Sequence, residues 1–299
     1  MRGRVSGGGA SGGVAVLALV VGLVSAAPVL PSLAQTSSPS LRLDRRIKTR
    51  PFVRSNVWIR DNEGSAYVRR DRSLWLADDN GGALYEVNPT TGALRRVIRR
   101  AAFESAPRFG GGRAAGENRV RDLESLAYDA SKDALYAFSG SCCRWSVRPT
   151  AFRLTRARGK LRVESYQPLR KGTDFTGAAW NRGDHRLYVG FGRSFRSYRY
   201  RANAVGPRST VRNLGGILGL GFSRSGEDAF VVTRAEKLIR VDWDRRRIVA
   251  GWTLDLTRFG IKDSRGVERI RGRFFISDGF DGRSRTDPMK YAVYVLSLR

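Results

Sequence analysis

Three glutamates stand at matching places in an otherwise basic chain. Their local strings are Arg60-Asp61-Asn62-Glu63-Gly64, Arg121-Asp122-Leu123-Glu124-Ser125 and Ser264-Arg265-Gly266-Val267-Glu268. Three carboxylates brought to one point repel one another strongly. A hard cation with oxygen ligands resolves that conflict, and Ca²⁺ is the cofactor expected for Glu63, Glu124 and Glu268. The alternative is that each Glu caps its own element or pairs with a local Arg. Further candidates for the same face are Asp78, Cys142, Cys143, Arg144, Trp145, Arg193 and Asp278. Each lies on a loop between apolar runs, where a rigid scaffold usually carries function.

Other chemistries lack their residues. The single histidine, His185, sits in the turn Gly183-Asp184-His185-Arg186. A Ser-His-Asp triad therefore has no base near the glutamates, and no G-x-S-x-G elbow is present. The only cysteines are adjacent. Two cysteines and one remote histidine cannot make a four-ligand zinc site. Cys142 and Cys143 are either a vicinal disulfide, separate thiols or a bond to another molecule. No dinucleotide or P-loop fingerprint occurs. Hydrolysis would need a metal-bound water with a carboxylate base.

The elements that must position these residues recur along the chain. Each unit has an acidic or glycine-containing start, a strand of small and aromatic residues, a polar turn, and a Leu-Tyr-Val type strand. The pairs are Glu63 to Tyr67 with Leu74 to Ala77, and Glu124 to Tyr128 with Ala134 to Phe138. Thr176 to Trp180 with Arg186 to Gly190 follows, then Leu218 to Phe222 with Ala229 to Val232. The last is Gly266 to Glu268 with Arg273 to Ile276. Third strands are expected at 83–87, 150–154, 197–200, 238–241 and 292–296. Outer strands are expected at about 93–98, 161–167, 209–213 and 247–254.

Short strands, frequent turn signals and a unit of roughly 40–60 residues predict an all-β fold, a β-propeller of four-stranded blades. Five blades are expected, and six if residues 99–120 hold strands. A β-sandwich or irregular barrel is the competing architecture. The last unit stops at its third strand, so the segment 41–47 is expected to complete it and close the ring, leaving no open sheet edge.

The chain has 299 residues and a formal net charge of +28, with 48 Arg against 7 Lys. The arginines are spread along its length. That matches biased codon use, or attraction to an anionic cell-surface polymer or small anionic ligand. No specific nucleic-acid partner is expected, because the aromatic residues fall at strand positions and form no stacking platform. Arg2 and Arg4, then the apolar run 14–24, then Ser32-Leu33-Ala34 read as a signal peptide over 1–34, cleaved near Ala34. Residues 35–40 read as a linker and 41–299 as the propeller. The expected product is a secreted or extracytoplasmic monomer with no membrane span after cleavage.

On the Asp61/Glu63-Gly64 and Asp122/Glu124 strings and the Leu-Tyr-Val strands, the chain resembles secreted bacterial propellers of the broad YWTD, lactonase-like and phytase-associated esterase-like group. The resemblance implies a metal held by carboxylates at the channel mouth. It also implies hydrolysis of a lactone, ester or phosphoester as the alternative to plain ligand binding. Thr176 and Leu218 depart from the acidic pattern, and the missing histidine departs from the hydrolases.

Overall fold

A computed structural model describes residues 39–49, 59, 61–111, 120, 122–140, 148–279 and 291–299. These form five antiparallel sheets in one ring. The proposed signal peptide, linker residues 35–38, and Cys142, Cys143, Arg144 and Trp145 lie outside the described residues. No helix among the described residues is long and apolar enough to cross a membrane.

Chain order gives the blades directly. β1 (Leu41–Ile47) comes first but belongs to the last blade. The first blade is β2 (Asn62–Val68), β3 (Ser73–Asp78), β4 (Ala83–Val87) and β5 (Leu94–Ile98). A short helix, α1 (Arg100–Glu104), follows and buries Phe103. The second blade is β6 (Leu123–Asp129), β7 (Ala134–Ser139), β8 (Thr150–Ala157) and β9 (Lys160–Pro168). The third starts with β10 (Gly177–Asn181), β11 (Arg186–Phe191) and β12 (Ser194–Arg199). Its outer strand is broken into β13 (Ala204–Val205) and β14 (Ser209–Thr210), which both pair with β12. Gly206-Pro207 interrupts it, because proline has no N–H for the ladder. The fourth blade is β15 (Ile217–Phe222), β16 (Asp228–Thr233), β17 (Lys237–Asp242) and β18 (Arg247–Asp255). The fifth is β19 (Ser264–Ile270), β20 (Arg273–Asp278) and β21 (Val293–Leu298), completed by β1. Residues 99–111 add α1 and a bridge from Arg108 to Tyr166 but no further sheet, so the blade number is five.

Closure runs as the repeat demands. β1 lies antiparallel to β21, with Leu41 opposite Leu298 and Ile47 opposite Val293. The Arg299 N–H donates to the Ser40 carbonyl at 2.9 Å, extending the seam by one step. Asp44 sits beside a register shift, accepts from Arg42 and Ser297, and forms an ion pair with Arg273 at 3.0 Å. β1 thus covers the edge of β21, which would otherwise lie open beside the chain ends.

The second strands read as unbroken apolar runs because both of their faces are buried. Strand side chains alternate with period two. In β3, Leu74 and Leu76 face the fifth blade, while Trp75 and Ala77 face the second. In β16, Ala229 and Val231 pack toward the third blade, and Phe230 and Val232 toward the fifth. The core is thus five separate apolar layers, one between each pair of neighbouring blades. Each fully buried Leu or Phe in these layers contributes on the order of 2 kcal/mol by leaving water.

The inner strands β2, β6, β10, β15 and β19 line a central channel and approach one another closely. A Cβ on Gly64 would lie 2.8 Å from the Ser125 Cα, and one on Gly266 would lie 2.7 Å from the Ser65 nitrogen. Only glycine fits where backbones meet at that distance. The small residues at the start of each repeat are therefore packing residues first.

Candidate functional site: an acidic mouth on the propeller channel

Pairing registers set which residues are equivalent between blades. The register shifts between Asn62 and Gly64, between Leu123 and Ser125, and between Ile217 and Gly219. The residue bulged out is Glu63, Glu124 and Leu218 in turn. β19 shifts between Ser264 and Val267, so the position matching Glu63 in the fifth blade is Arg265. A bulge leaves a residue outside the ladder and re-aims its side chain. Here the bulges turn Glu63, Glu124 and Arg265 to the channel mouth.

Glu268 does not join them. It lies deeper in β19, opposite Phe275, at the level of Ala66, Ala127, Ala179 and Gly221. The sequence strings align on an acidic residue near a glycine, but the ladder aligns Gly266 with Gly64. Glu268 therefore faces the other half of the channel, beside Arg69 and Arg182. The trio Glu63, Glu124 and Glu268 is not one cluster.

Aspartates take the vacant role. Carboxylate oxygens of Asp61, Glu63 and Asp79 lie within 4.8 Å of one another. Glu124 interacts with Glu63 and hydrogen-bonds to Asp122, and Asp122 also hydrogen-bonds to Asp79. A point placed as a Cβ on Gly140 would lie 2.6 Å from Asp122 Oδ2, 2.9 Å from Asp174 Oδ1 and 3.0 Å from Glu124 Cγ. Six carboxyl groups from the first three blades thus meet at one mouth. Asp174 Oδ1 is buried there without a hydrogen-bond partner among the described residues.

One cation is built in. The Arg265 Nη1 lies 2.9 Å from Glu63 Oε2, and its Nε lies 2.8 Å from Asp263 Oδ1. It offsets part of the charge but cannot serve every group. Burial holds the Glu63 carboxyl well above its usual range; Arg265 pulls it down, while Asp61, Asp263 and Asp122 push it up. Burial raises Asp79 strongly as well, helped by the hydrogen bond and charge of Asp122. Glu124 is raised by burial and then by Glu63 and Asp122. Asp174 is raised by burial and by Asp122. Carboxyls hydrogen-bonded to one another must share protons, since two carboxylates offer only acceptors.

The donor set fits a hard cation. It is all oxygen, it is flexible in number, and His185 is exposed on a turn far along the third blade's first hairpin. Oxygen-only sites suit Ca²⁺ or Mg²⁺ over the soft transition metals. Asp61, Glu63 and Asp79 would hold such an ion, with Asp122, Glu124 and Asp174 as a second ring of acceptors.

The remaining predicted residues have other tasks. Asp78 is fully buried and accepts from the Asp61 N–H, the Gly81 N–H and the Tyr85 hydroxyl, each at 3.0 Å. Asp278 holds the same place in the fifth blade and accepts from the Asp263 N–H at 3.1 Å and the Lys262 N–H at 3.4 Å. Each carboxylate ties down the loop that enters its own blade, Asp61 in the first and Lys262 and Asp263 in the fifth, and neither is a free ligand group in the channel. Arg193 is exposed in the turn between β11 and β12. The signal for Asp61, Asp79 and Asp122 was present as acidic neighbours of the glutamates and of Asp78. Asp174 had no such signal, because its blade begins with threonine.

No protein-family profile matches the sequence, and no curated protein matches it. Solved structures do match in fold. A glutaminyl cyclase of Myxococcus xanthus aligns over 87% of this chain and 97% of its own, with a TM-score of 0.58 and 11% identity. The PQQ-bound aldose sugar dehydrogenase of Streptomyces coelicolor aligns over 87% and 98%, with a TM-score of 0.52 and 11% identity. A gluconolactonase of Xanthomonas campestris aligns over 80% and 86%, at a TM-score of 0.48 and 15% identity. This chain is a β-propeller. At these identities the likeness is one of fold.

Proposed function

We propose that the protein is an exported propeller that binds Ca²⁺ at its acidic channel mouth and holds an oxygen-rich ligand or cell-envelope partner through that ion. The observation that supports this is the convergence of the Asp61, Glu63 and Asp79 oxygens within 4.8 Å. Left to itself, such a mouth repels anions and retains protons. A bound divalent cation displaces those protons and turns the same surface into an anion acceptor. Export is supported by the leader pattern of residues 1–34 and by the net charge of +28, which favours an anionic surface.

A second reading has one specific observation behind it. The chain Asp79–Asp122–Glu124 puts proton-sharing carboxyls beside the cation position. That arrangement suits a metal-assisted hydrolase of a lactone, ester or phosphoester, with a carboxylate as the base for a metal-bound water. Propellers of this fold include enzymes, among them the glutaminyl cyclase and the sugar dehydrogenase.

A thermal-shift titration tests the first reading. The parent protein in EDTA should gain stability as Ca²⁺ is added, by about 2.7 kcal/mol at a hundred times the dissociation constant. Asp79→Asn and Glu63→Gln should abolish the gain. No Ca²⁺ response in the parent overturns the binding reading. Chromogenic lactones, esters and phosphoesters left intact by the Ca²⁺-loaded protein would remove the hydrolase.

A further inference from the structure

The opposite mouth of the same channel carries the reverse charge. There the inner strands end and turn toward the second strands, and four of the five blades place an arginine at the same step. These are Arg69 after Val68, Arg182 after Asn181, Arg224 after Ser223, and Arg271 after Ile270; the second blade has Ala130. All four line one cavity of about 560 Å³, and Glu268 lies in its wall.

Arg69, Arg182 and Arg224 make no hydrogen bond or ion pair with one another or with any other described residue. Yet they sit close enough to repel: Arg69 feels Arg224, and Arg182 feels both. Burial lowers the hold of Arg69 and Arg182 on their protons, and the neighbouring guanidinium charges add to it. Two other partly buried arginines show the paired arrangement. Arg156 bonds Asp71 and Asp133, and Arg240 takes a bidentate grip on Asp228. Among the described residues of this wall the one carboxylate is Glu268, which accepts from the Tyr67 N–H. The four arginines of this step, with Arg72 and Arg269 beside them in the wall, outnumber the one carboxylate and leave the mouth with an excess of positive charge.

We propose that this arginine-ringed mouth is a second binding site, for a small oxyanion carrying two or more negative charges, of the phosphate or sulfate class. Guanidinium groups present planar forks of N–H donors that match phosphate and sulfate oxygens, often two bonds at a time. The cavity is wide enough for such a group with its bridging atoms and is open to solvent on one side. Pseudo-fivefold placement lets several arginines reach one ligand on the axis. The site is independent of the acidic mouth, since no residue is shared.

Isothermal titration in EDTA at low salt, with inorganic pyrophosphate and separately with a disulfated disaccharide, tests the inference. At least one probe should bind at one equivalent, and the tighter one names the ester class. The triple variant Arg69→Gln, Arg182→Gln, Arg224→Gln should weaken it by about a hundredfold or more, since each charge-assisted contact is worth on the order of tenfold. A control variant removes the same charge from exposed positions, Arg162→Gln, Arg208→Gln, Arg212→Gln, and should change binding by less than about threefold. Glu268→Gln should tighten it several-fold, because it deletes the one carboxylate in the wall. Circular dichroism confirms folding of each variant. An equal loss in the control, an unaffected triple variant, or no binding of either probe overturns the site. Because EDTA removes Ca²⁺, a failure here leaves the acidic mouth untouched.

Discussion

Arg265 is the cation paired with Glu63 and Asp263 in the ring of carboxylates, and replacing it with methionine isolates their repulsion. Methionine keeps much of the side chain's length while removing the charge. Glu63, at 4% exposure, loses a partner at 2.9 Å, and Asp263 loses two contacts at 2.8 Å. Removing one member of a buried pair typically costs 3–5 kcal/mol. Arg265 keeps 26% of its side chain exposed, so the lower end, about 3 kcal/mol, applies. The loss has a definite pH signature. The surrounding carboxyls have folded-state pKa values raised by burial and by each other. A raised carboxyl pKa gives stability that is present below the unfolded value and lost as pH rises through the folded value. Without Arg265 those values rise further, so the deficit is small near pH 4.5 and largest near pH 8. Ca²⁺ should restore most of it, since the ion replaces the missing charge. Urea unfolding of Arg265→Met and the parent at pH 5 and pH 8, with EDTA and with Ca²⁺, measures all four differences. Equal stability of the two proteins at pH 8 in EDTA, or a deficit that does not change with pH, would refute the electrostatic account of the mouth.

Three further outcomes follow from the same geometry. Asp78→Ala should cost about 3 kcal/mol in urea unfolding, because the Asp61 and Gly81 N–H groups and the Tyr85 hydroxyl lose a buried acceptor together. It should also weaken Ca²⁺ binding, since Asp78 holds the loop that carries Asp61. Glu268 has its pKa raised to about 7, first by burial and against the pull of the Tyr67 N–H, Arg182 and Arg69. Glu268 should account for up to about 3 kcal/mol of the stability the parent loses as pH rises from 4.5 through 7, and Glu268→Gln should remove that share of the slope and be the more stable protein at pH 8. A chain lacking residues 39–47 should lose its cooperative melt and associate, because β21 becomes an open edge beside buried Val293 and Val295; a monomeric, unchanged melt in ultracentrifugation and calorimetry would count against closure by β1.

Much of the fold was legible because strand periodicity and burial act locally. The Leu-Trp-Leu-Ala and Leu-Tyr-Ala-Phe runs could only be strands buried on both faces, and a last unit short of one strand pointed to β1. The outer strand of the third blade was less legible: 209–213 was expected, and Gly206-Pro207 splits the edge into two short pieces. At the site, Glu63 and Glu124 come to one mouth because both are bulge residues. Bulges set the register, however, and no single sequence string displays a register. That is why Glu268, three residues beyond its blade's true mouth position at Arg265, looked equivalent and is not. Asp78 and Asp278 looked like ligand groups for a related reason. Acidic residues at strand ends serve equally as acceptors for loop N–H groups, and only the hydrogen-bond partners tell the two apart. The arginine ring was hidden by abundance, since 48 arginines along the chain conceal four at one step of the repeat.

We propose that the carboxylates of the first two blades hold a cation at the channel mouth. Crystals grown with Ca²⁺ and measured for anomalous scattering test it most directly. A single strong peak is expected at the mouth, with Asp61, Glu63 and Asp79 oxygens at about 2.3–2.6 Å from it. A mouth without a peak at saturating Ca²⁺, with Arg265 alone balancing Glu63, would contradict it.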